Sequence, residues 1–352
     1  MTEMRIIKIS ILSLGALLPI LSFFFIRNRR KEIALLCFSF VFIFFITEAF
    51  LRQFYPQLME HDQMFEYDPQ IGWRFFSNKK GHIVYSGEAR HWIKTNSLGF
   101  RDNSPPSNNQ KKILVVGDSF VSNIAIKDSQ VFTEVMEQSL KSTSVMNFGV
   151  NGYGQVQEYL LLKKWLDKIK PDLVILMIYI RNDFNENMGG YWLHPRPFVS
   201  WDKENSELIF HSPPPPPDKG LTSDLFTKSF KKLHVLEFLN KKFNILKNKY
   251  FHGDQSENKP SINKAPEFYL CHTQTSKNTK LMHRTMEALL MKIADYVDEF
   301  HAPLIFAIAP SIIQVEDKLW TTTILNNSEE PENYKRSLPN DRFAANITIK
   351  IE

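Results

Sequence analysis

Apolar residues fall along this chain in short blocks separated by amphipathic stretches. Residues 112–117, 144–148, 173–180 and 303–309 are near-continuous apolar runs of strand length, the pattern of strands buried on both faces of a parallel sheet. Between them the period changes to that of a helix. Residues 128–140 set Val131, Phe132, Val135 and Met136 on one side; helices are also predicted over 156–169, closed by Pro171, and over 276–300. Strands alternating with helices predict an α/β domain, a parallel sheet with helices on both faces.

The remaining pattern divides the chain. Residues 1–51 are dominated by two apolar stretches, 9–26 and 33–47, the second carried on to Leu51 around Glu48. Each approaches the roughly 20 residues that cross a bilayer as a helix. Residues 52–110 read as a β or irregular lead-in rich in aromatic and turn residues, with a linker from Ser104 to Gln110. Residues 111–352 hold the sheet pattern, interrupted at 189–265, where Pro213 to Pro217 enforce polyproline II. A basic helix is predicted over 223–249, its apolar face laid on the domain or on a bilayer surface. After residue 310 polar loops and a faint strand pattern at 347–351 are expected.

Charge gives the first segment an orientation. Arg27, Arg29, Arg30 and Lys31 lie between the two apolar stretches, and such a cluster stays cytoplasmic. The expectation is a transmembrane hairpin in the cell (inner) membrane, with everything after Leu51 on the outer side and the bilayer itself as a partner. A signal peptide is the alternative for the first stretch. Glu48 is expected to be an interfacial carboxylate reaching water.

Composition narrows the function classes. The chain has 352 residues, 43% hydrophobic and 23% charged, with a net charge of +5. The positive residues are scattered or lie beside the membrane, with no aromatic-interleaved basic face, so nucleic acid is not an expected partner. Cys37 lies inside an apolar run, so no disulfide with Cys271 is expected, and neither cysteine has metal-ligand spacing. No cofactor or metal is expected.

The chemistry sits where the strands end. Residues 113–116 run straight into Gly117-Asp118-Ser119-Phe120, which places a serine at the carboxyl end of a strand, where open α/β sheets transform ligands. A neutral serine needs a base and oxyanion donors. After the second strand Asn147 to Gly154 includes Gly149, Gly152 and Gly154, which let backbone N–H groups approach a ligand. After the third comes Arg181-Asn182-Asp183, with a side-chain amide. Each block also has a structural reading: Asp-Ser as a helix N-cap, Gly149 and Gly154 as tight-turn residues, Asn182-Asp183 as a plain turn, Asp118 as a turn brace.

These blocks resemble those of the SGNH (GDSL-like) hydrolase family: Gly117-Asp118-Ser119-Phe120, then Asn147-x-Gly149-Val150-x-Gly152, then Asn182-Asp183. Residues 97–102, Ser-Leu-Gly-Phe-Arg-Asp, are similar to the lead-in of its membrane-anchored bacterial members. The resemblance covers about residues 95–311. It implies a flavodoxin-like three-layer α/β/α sandwich preceded by two transmembrane helices. Ser119 is the implied nucleophile, with the Ser119 and Gly152 N–H groups and the Asn182 amide as oxyanion hole. It further implies ester hydrolysis, with O-acyl groups of cell-envelope carbohydrate, or another ester, as substrate.

The family also carries Asp-x-x-His after a fifth strand. Here the literal match, Asp298 to His301, precedes the fourth strand and falls at the wrong sheet edge, and Glu88 to His91 falls in the lead-in. The chain is therefore expected to stop short of the block and to have impaired activity. O-acyl transfer to a surface polysaccharide and a catalytically dead binding module are the alternatives.

Overall fold

The computed structural model describes residues 29–55, 64–85, 89–102, 110–189, 196–202, 207–214, 233–236, 238–239, 242, 270–327, 330–342 and 344. Two compact units emerge, Met1–His61 with Gly220–Asp254, and Asp62–Lys219 with Gln255–Glu352.

In the first unit, helix α1 (Arg30–Phe54) is long and apolar enough to cross a bilayer from Lys31 to Phe54. Leu36, Phe38, Phe40, Val41 and Phe42 are exposed on different sides of it, so its apolar surface runs all round and is not a single stripe. The first apolar stretch, 9–26, lies outside the described residues, as does most of 223–249. Glu48 departs from expectation. Its carboxylate is 6% exposed and accepts from Arg52 Nε at 2.7 Å and from the backbone N–H groups of His234 and Val235 at 3.0 and 2.9 Å. The first N–H groups of a helical turn have no partner within that turn, so they draw the carboxylate inward.

The second unit is built on one parallel sheet in the order β6–β5–β7–β10, from β5 (Lys111–Gly117), β6 (Thr143–Gly149), β7 (Leu173–Tyr179) and β10 (Leu304–Ala309). Strand alternation sorts the layers. Leu114, Val116, Met146, Phe148, Val174 and Leu176 pack with α4 (Gln155–Ile169) and α6 (Lys277–Asp298). Ile113, Val115, Val145, Ile175 and Met177 pack with α2 (Ser119–Ser122) and α3 (Phe132–Ser139). β10 is an edge strand among the described residues, and Ile305 on it is 49% exposed.

Ahead of the sheet, 64–94 forms two antiparallel hairpins, β1 (Phe65–Asp68) with β2 (Gly72–Phe75) and β3 (Lys80–Tyr85) with β4 (Ala89–Lys94). The first hairpin braces the glycine block. Trp73 Nε1 donates to Asn151 O at 3.0 Å, Tyr153 Oη donates to Trp73 O, and Gln157 Nε2 donates to Ile71 O at 2.8 Å.

Two regions expected to be irregular carry elements. The stretch after 189 holds a hairpin, β8 (Phe198–Trp201) with β9 (Leu208–His211), seated through Val199 on Val156 and Leu289. After β10 the expected loops are α7 (Ile312–Val315) and α8 (Asp317–Asn327). α8 runs through Thr321-Thr322-Thr323, poor helix formers, and its hold is tertiary: Ile324 and Trp320 cluster with Tyr334. The faint strand pattern at 347–351 lies outside the described residues.

Candidate functional site

The chain leaves β5 to build β6 on one side, then crosses back to place β7 on the other. The carboxyl ends of β5 and β7 therefore flank a topological switch point, where such sheets open a crevice. Short α2 (Ser119–Ser122) follows β5 and short α5 (Asp183–Glu186) follows β7.

Ser119 is half-buried and Phe120 exposed. Asp118 caps α2, accepting from Phe120 N–H on Oδ1 at 2.8 Å. Its Oδ2 accepts from Ser119 Oγ at 3.3 Å and from Asn182 Nδ2 at 3.4 Å, so hydroxyl and amide share one carboxylate oxygen. Among the described residues Ser119 Oγ donates to no other group.

Close backbone approach holds α2 against the glycine block. A Cβ on Gly149 would lie 2.2 Å from Ser122 N, so this glycine sits at a strand end where α2 crosses, not in the expected tight turn. Val150 N–H donates to Gly117 O at 3.1 Å and Ser122 Oγ to Asn151 Oδ1 at 2.6 Å. Gly152 is buried with φ +77°, a conformation that favours glycine. Among the described residues its N–H donates no hydrogen bond.

Beneath the serine lies a cluster of buried carboxylates that sequence reasoning missed. Asp118, Glu158, Asp183 and Glu186 are all buried. Asn182 Nδ2 donates to Asp183 Oδ1 at 3.2 Å and Glu186 Oε2 at 2.9 Å; Gln155 Nε2 donates to Asp183 Oδ2 at 2.7 Å and Glu158 Oε2 at 3.3 Å. Tyr179 N–H adds a 2.8 Å bond to Asp183. Among the described residues Glu158 Oε1 has no hydrogen-bond partner. Arg196 joins two parts of the site: Nη2 donates to Gly152 O at 3.1 Å, and Nη1 lies 3.6 Å from Glu186 Oε2. Its position in an insertion, without periodicity or motif, gave no signal.

Burial sets the electrostatics. It pushes the Asp183 and Glu158 carboxyls well above the ordinary range, and the neighbouring carboxylates add to the rise. Burial also raises Asp118, against hydrogen bonds from Phe120 N–H, Asn182 and Ser119. In this arrangement the Asn182 amide is turned toward carboxylate, whereas the Gly152 N–H is not.

The lead-in block is wired into the same site. Arg101 donates from Nη1 to Ser122 O at 3.1 Å and to Asn123 O, from Nη2 to Ile126 O at 2.6 Å, and from Nε and Nη2 to Asp128 Oδ1 at 3.0 and 2.7 Å. Asp102 Oδ2 accepts from Asn147 N–H at 3.3 Å. The 97–102 segment thus ties down the end of α2 and the strand before the glycine block.

His301 follows the carboxyl end of α6 with φ +55° and precedes β10, at the amino edge of the sheet. A six-residue strand, about 20 Å at 3.3 Å per residue, separates that edge from the serine's. Glu88 lies outside the described residues. Among the described residues no group of three His, Cys, Asp or Glu side chains is arranged to hold a metal ion, and Cys37 and Cys271 are not joined in a disulfide.

No family model matches this sequence, and no curated protein sequence matches it. Among solved structures the chain is similar to a mutant of the esterase AlinE4, at 13% sequence identity and a TM-score of 0.25, over 62% of this chain and 96% of that one.

Proposed function

We propose that the chain is a serine ester hydrolase of SGNH type on a flavodoxin-like sandwich, held in the inner membrane by an N-terminal hairpin and acting on O-acyl groups of cell-envelope carbohydrate. The observation that carries the reading is the N–H of buried Gly152, without an acceptor among the described residues, at the sheet edge that bears half-buried Ser119. A buried donor left without a partner is costly. An acyl oxygen turning to oxyanion would supply one. Ser119 Oγ attacks the acyl carbonyl, its proton passing to the acceptor it touches, Asp118. The Gly152 N–H steadies the oxyanion, and Asn182 joins it by turning from the carboxylates. The alcohol leaves with a proton, and water then releases the acid from the acyl-enzyme.

A carboxylate that also braces a turn is a poorer base than an oriented histidine, so turnover is expected to be slow. With p-nitrophenyl acetate, the full chain in detergent is expected to show weak hydrolysis that Ser119→Ala removes and His301→Ala leaves alone. A fluorophosphonate probe should label Ser119. An unlabelled Ser119 would favour the binding-module reading, which draws support from the Asn182 amide already being bonded to carboxylates.

The orientation reading has its own measurement. With Arg27 to Lys31 cytoplasmic, residues after Leu51 lie outside. Alkaline phosphatase fused after Glu352 is expected to be active, and a fusion active only as a cytoplasmic reporter would sink the hairpin.

A further inference from the structure

Away from the serine, a cleft of about 340 Å3 opens between the end of β4 and the 128–134 stretch, with Asn78, Lys94, Asn96, Asp128 and Glu134 among its walls. That volume is within the range of about 300–1,000 Å3 of small-molecule sites, but the lining is unlike the usual apolar one. Val131 is its single apolar side chain.

Asn96 is the informative wall. It is 6% exposed, and its Oδ1 is used by the turn, accepting from Leu98 N–H at 3.0 Å and Phe100 N–H at 3.1 Å. Its Nδ2 is buried with no hydrogen-bond partner among the described residues. An orphan donor in the wall of a polar cleft calls for an acceptor from a ligand.

Charge indicates the kind of ligand. Lys94 and Arg101 face Asp102, Asp128 and Glu134 across the lining, and Arg101 is already committed to Asp128 and three backbone carbonyls. A phosphate or other anion would meet more acid than free cation. A lipid or apolar peptide would find one apolar wall. A neutral polyhydroxyl compound offers both donors and acceptors to such a mixed lining. Trp92, two residues before Lys94 on the same face of β4, is 60% exposed. An exposed indole is a surface for the C–H face of a sugar ring, although Lys80 already stands 5.5 Å from it.

We infer that this cleft is a saccharide-binding subsite for a neutral oligosaccharide. Its link to acyl chemistry rests on the hydrolase reading above; its binding does not. The cleft's Arg101 and Asp102 are the residues that tie α2 and the β6 backbone in place. Sugar units bound there would spend remote binding energy on holding an acylated polymer beside the serine.

The test uses the full chain in detergent with chitotetraose and maltotetraose as probes and inorganic phosphate as the anionic control. Binding is read by saturation-transfer NMR and tryptophan fluorescence. One tetrasaccharide is expected to bind in the millimolar range or tighter, and phosphate is not expected to compete. Asn96→Asp keeps the Oδ1 that braces the turn and replaces the orphan donor by an acceptor; affinity should fall about tenfold, worth about 1.4 kcal/mol. Lys94→Ala, on an exposed side chain that does not threaten the fold, should weaken binding about threefold. Ser119→Ala should bind like the parent. Failure of both tetrasaccharides at about 10 mM, indifference to both cleft substitutions, or competition by phosphate overturns the inference. Saccharide binding by a chain whose Ser119 takes no fluorophosphonate would uphold the subsite and sink the hydrolase.

Discussion

An Arg101→Ala chain is expected to lose about 3–5 kcal/mol of stability, the cost of breaking a buried ion pair by removing one partner. The side chain is 2% exposed and its ionic partner is Asp128. Asp128 itself is half exposed and can return to water, which argues for the lower end. Against that, the guanidinium also satisfies the carbonyls of Ser122, Asn123 and Ile126. These oxygens lie at the carboxyl end of α2 and in the loop beyond, where the helix cannot satisfy its own acceptors. Alanine would strand those of Ser122 and Ile126, while Asn123 O keeps the Ile126 N–H at 3.3 Å. Arg101→Lys keeps the charge but not the fork, and should recover less than half of the loss. Thermal unfolding and limited proteolysis of the full chain in detergent would measure both variants. The earliest cleavage in Arg101→Ala should fall in 119–131, and a melting temperature within a degree or two of the parent would remove Arg101 from this role. Because α2 begins at Ser119, the same variant should also slow fluorophosphonate labelling.

Much of the scaffold was legible because its signals are local and strong. Runs such as Ile113 to Val116 and Leu173 to Tyr179 have strand length and no polar interruption, and a parallel α/β sheet follows from their alternation with helices. Helix α1 could be read from its apolar length alone. Short α8 could not: its Thr321 to Thr323 run argues against helix, and what holds it is contact with Tyr334, ten residues after Ile324. At the site, sequence reasoning placed Ser119, the glycine block and Asn182 at the ends of adjacent strands, and they lie at one sheet edge. It did not see what surrounds them. Glu158 is in the first turn of an amphipathic helix, where an acidic residue is ordinary. Its burial against Asp183 depends on how α4 docks over the end of β7. Arg196 and Arg101 come from segments with no periodicity, and each acts on backbone carbonyls, which carry no side-chain signature.

Stability is expected to be dome-shaped in pH, with its two flanks set by different buried groups. On the alkaline side are Glu158 and Asp183. Their folded-state carboxyls titrate above the ordinary range because burial, then neighbouring carboxylates, disfavour the charge. A group raised on folding stabilises fully below its unfolded value, about 4 for a carboxyl, and that contribution is lost as pH rises through the folded value. Facing them are Asp118, Glu186 and the buried Arg196 guanidinium, with Gln155 and Asn182 as neutral donors. On the acid side is His283, with burial first and the Arg342 charge second lowering it from 6.5 to about 4, against Glu287. It lies edge-on to Phe184, and its Nε2 has no hydrogen-bond partner among the described residues. A lowered histidine stabilises above its unfolded value and loses that contribution as pH falls from about 6.5 toward 4, up to about 3 kcal/mol at 1.36 kcal/mol per unit. Glu158→Gln keeps an oxygen for Gln155 and removes one charge, so it should stabilise by about 1–3 kcal/mol at pH 8 and flatten the alkaline flank. It should leave the acid flank alone. His283→Leu should flatten the acid flank between pH 4 and 6.5 and leave the alkaline one. Denaturation midpoints of the three chains across pH 4–9 separate the effects. An alkaline flank as steep in Glu158→Gln as in the parent would mean that the carboxylates beneath Ser119 do not hold the extra protons that their burial implies.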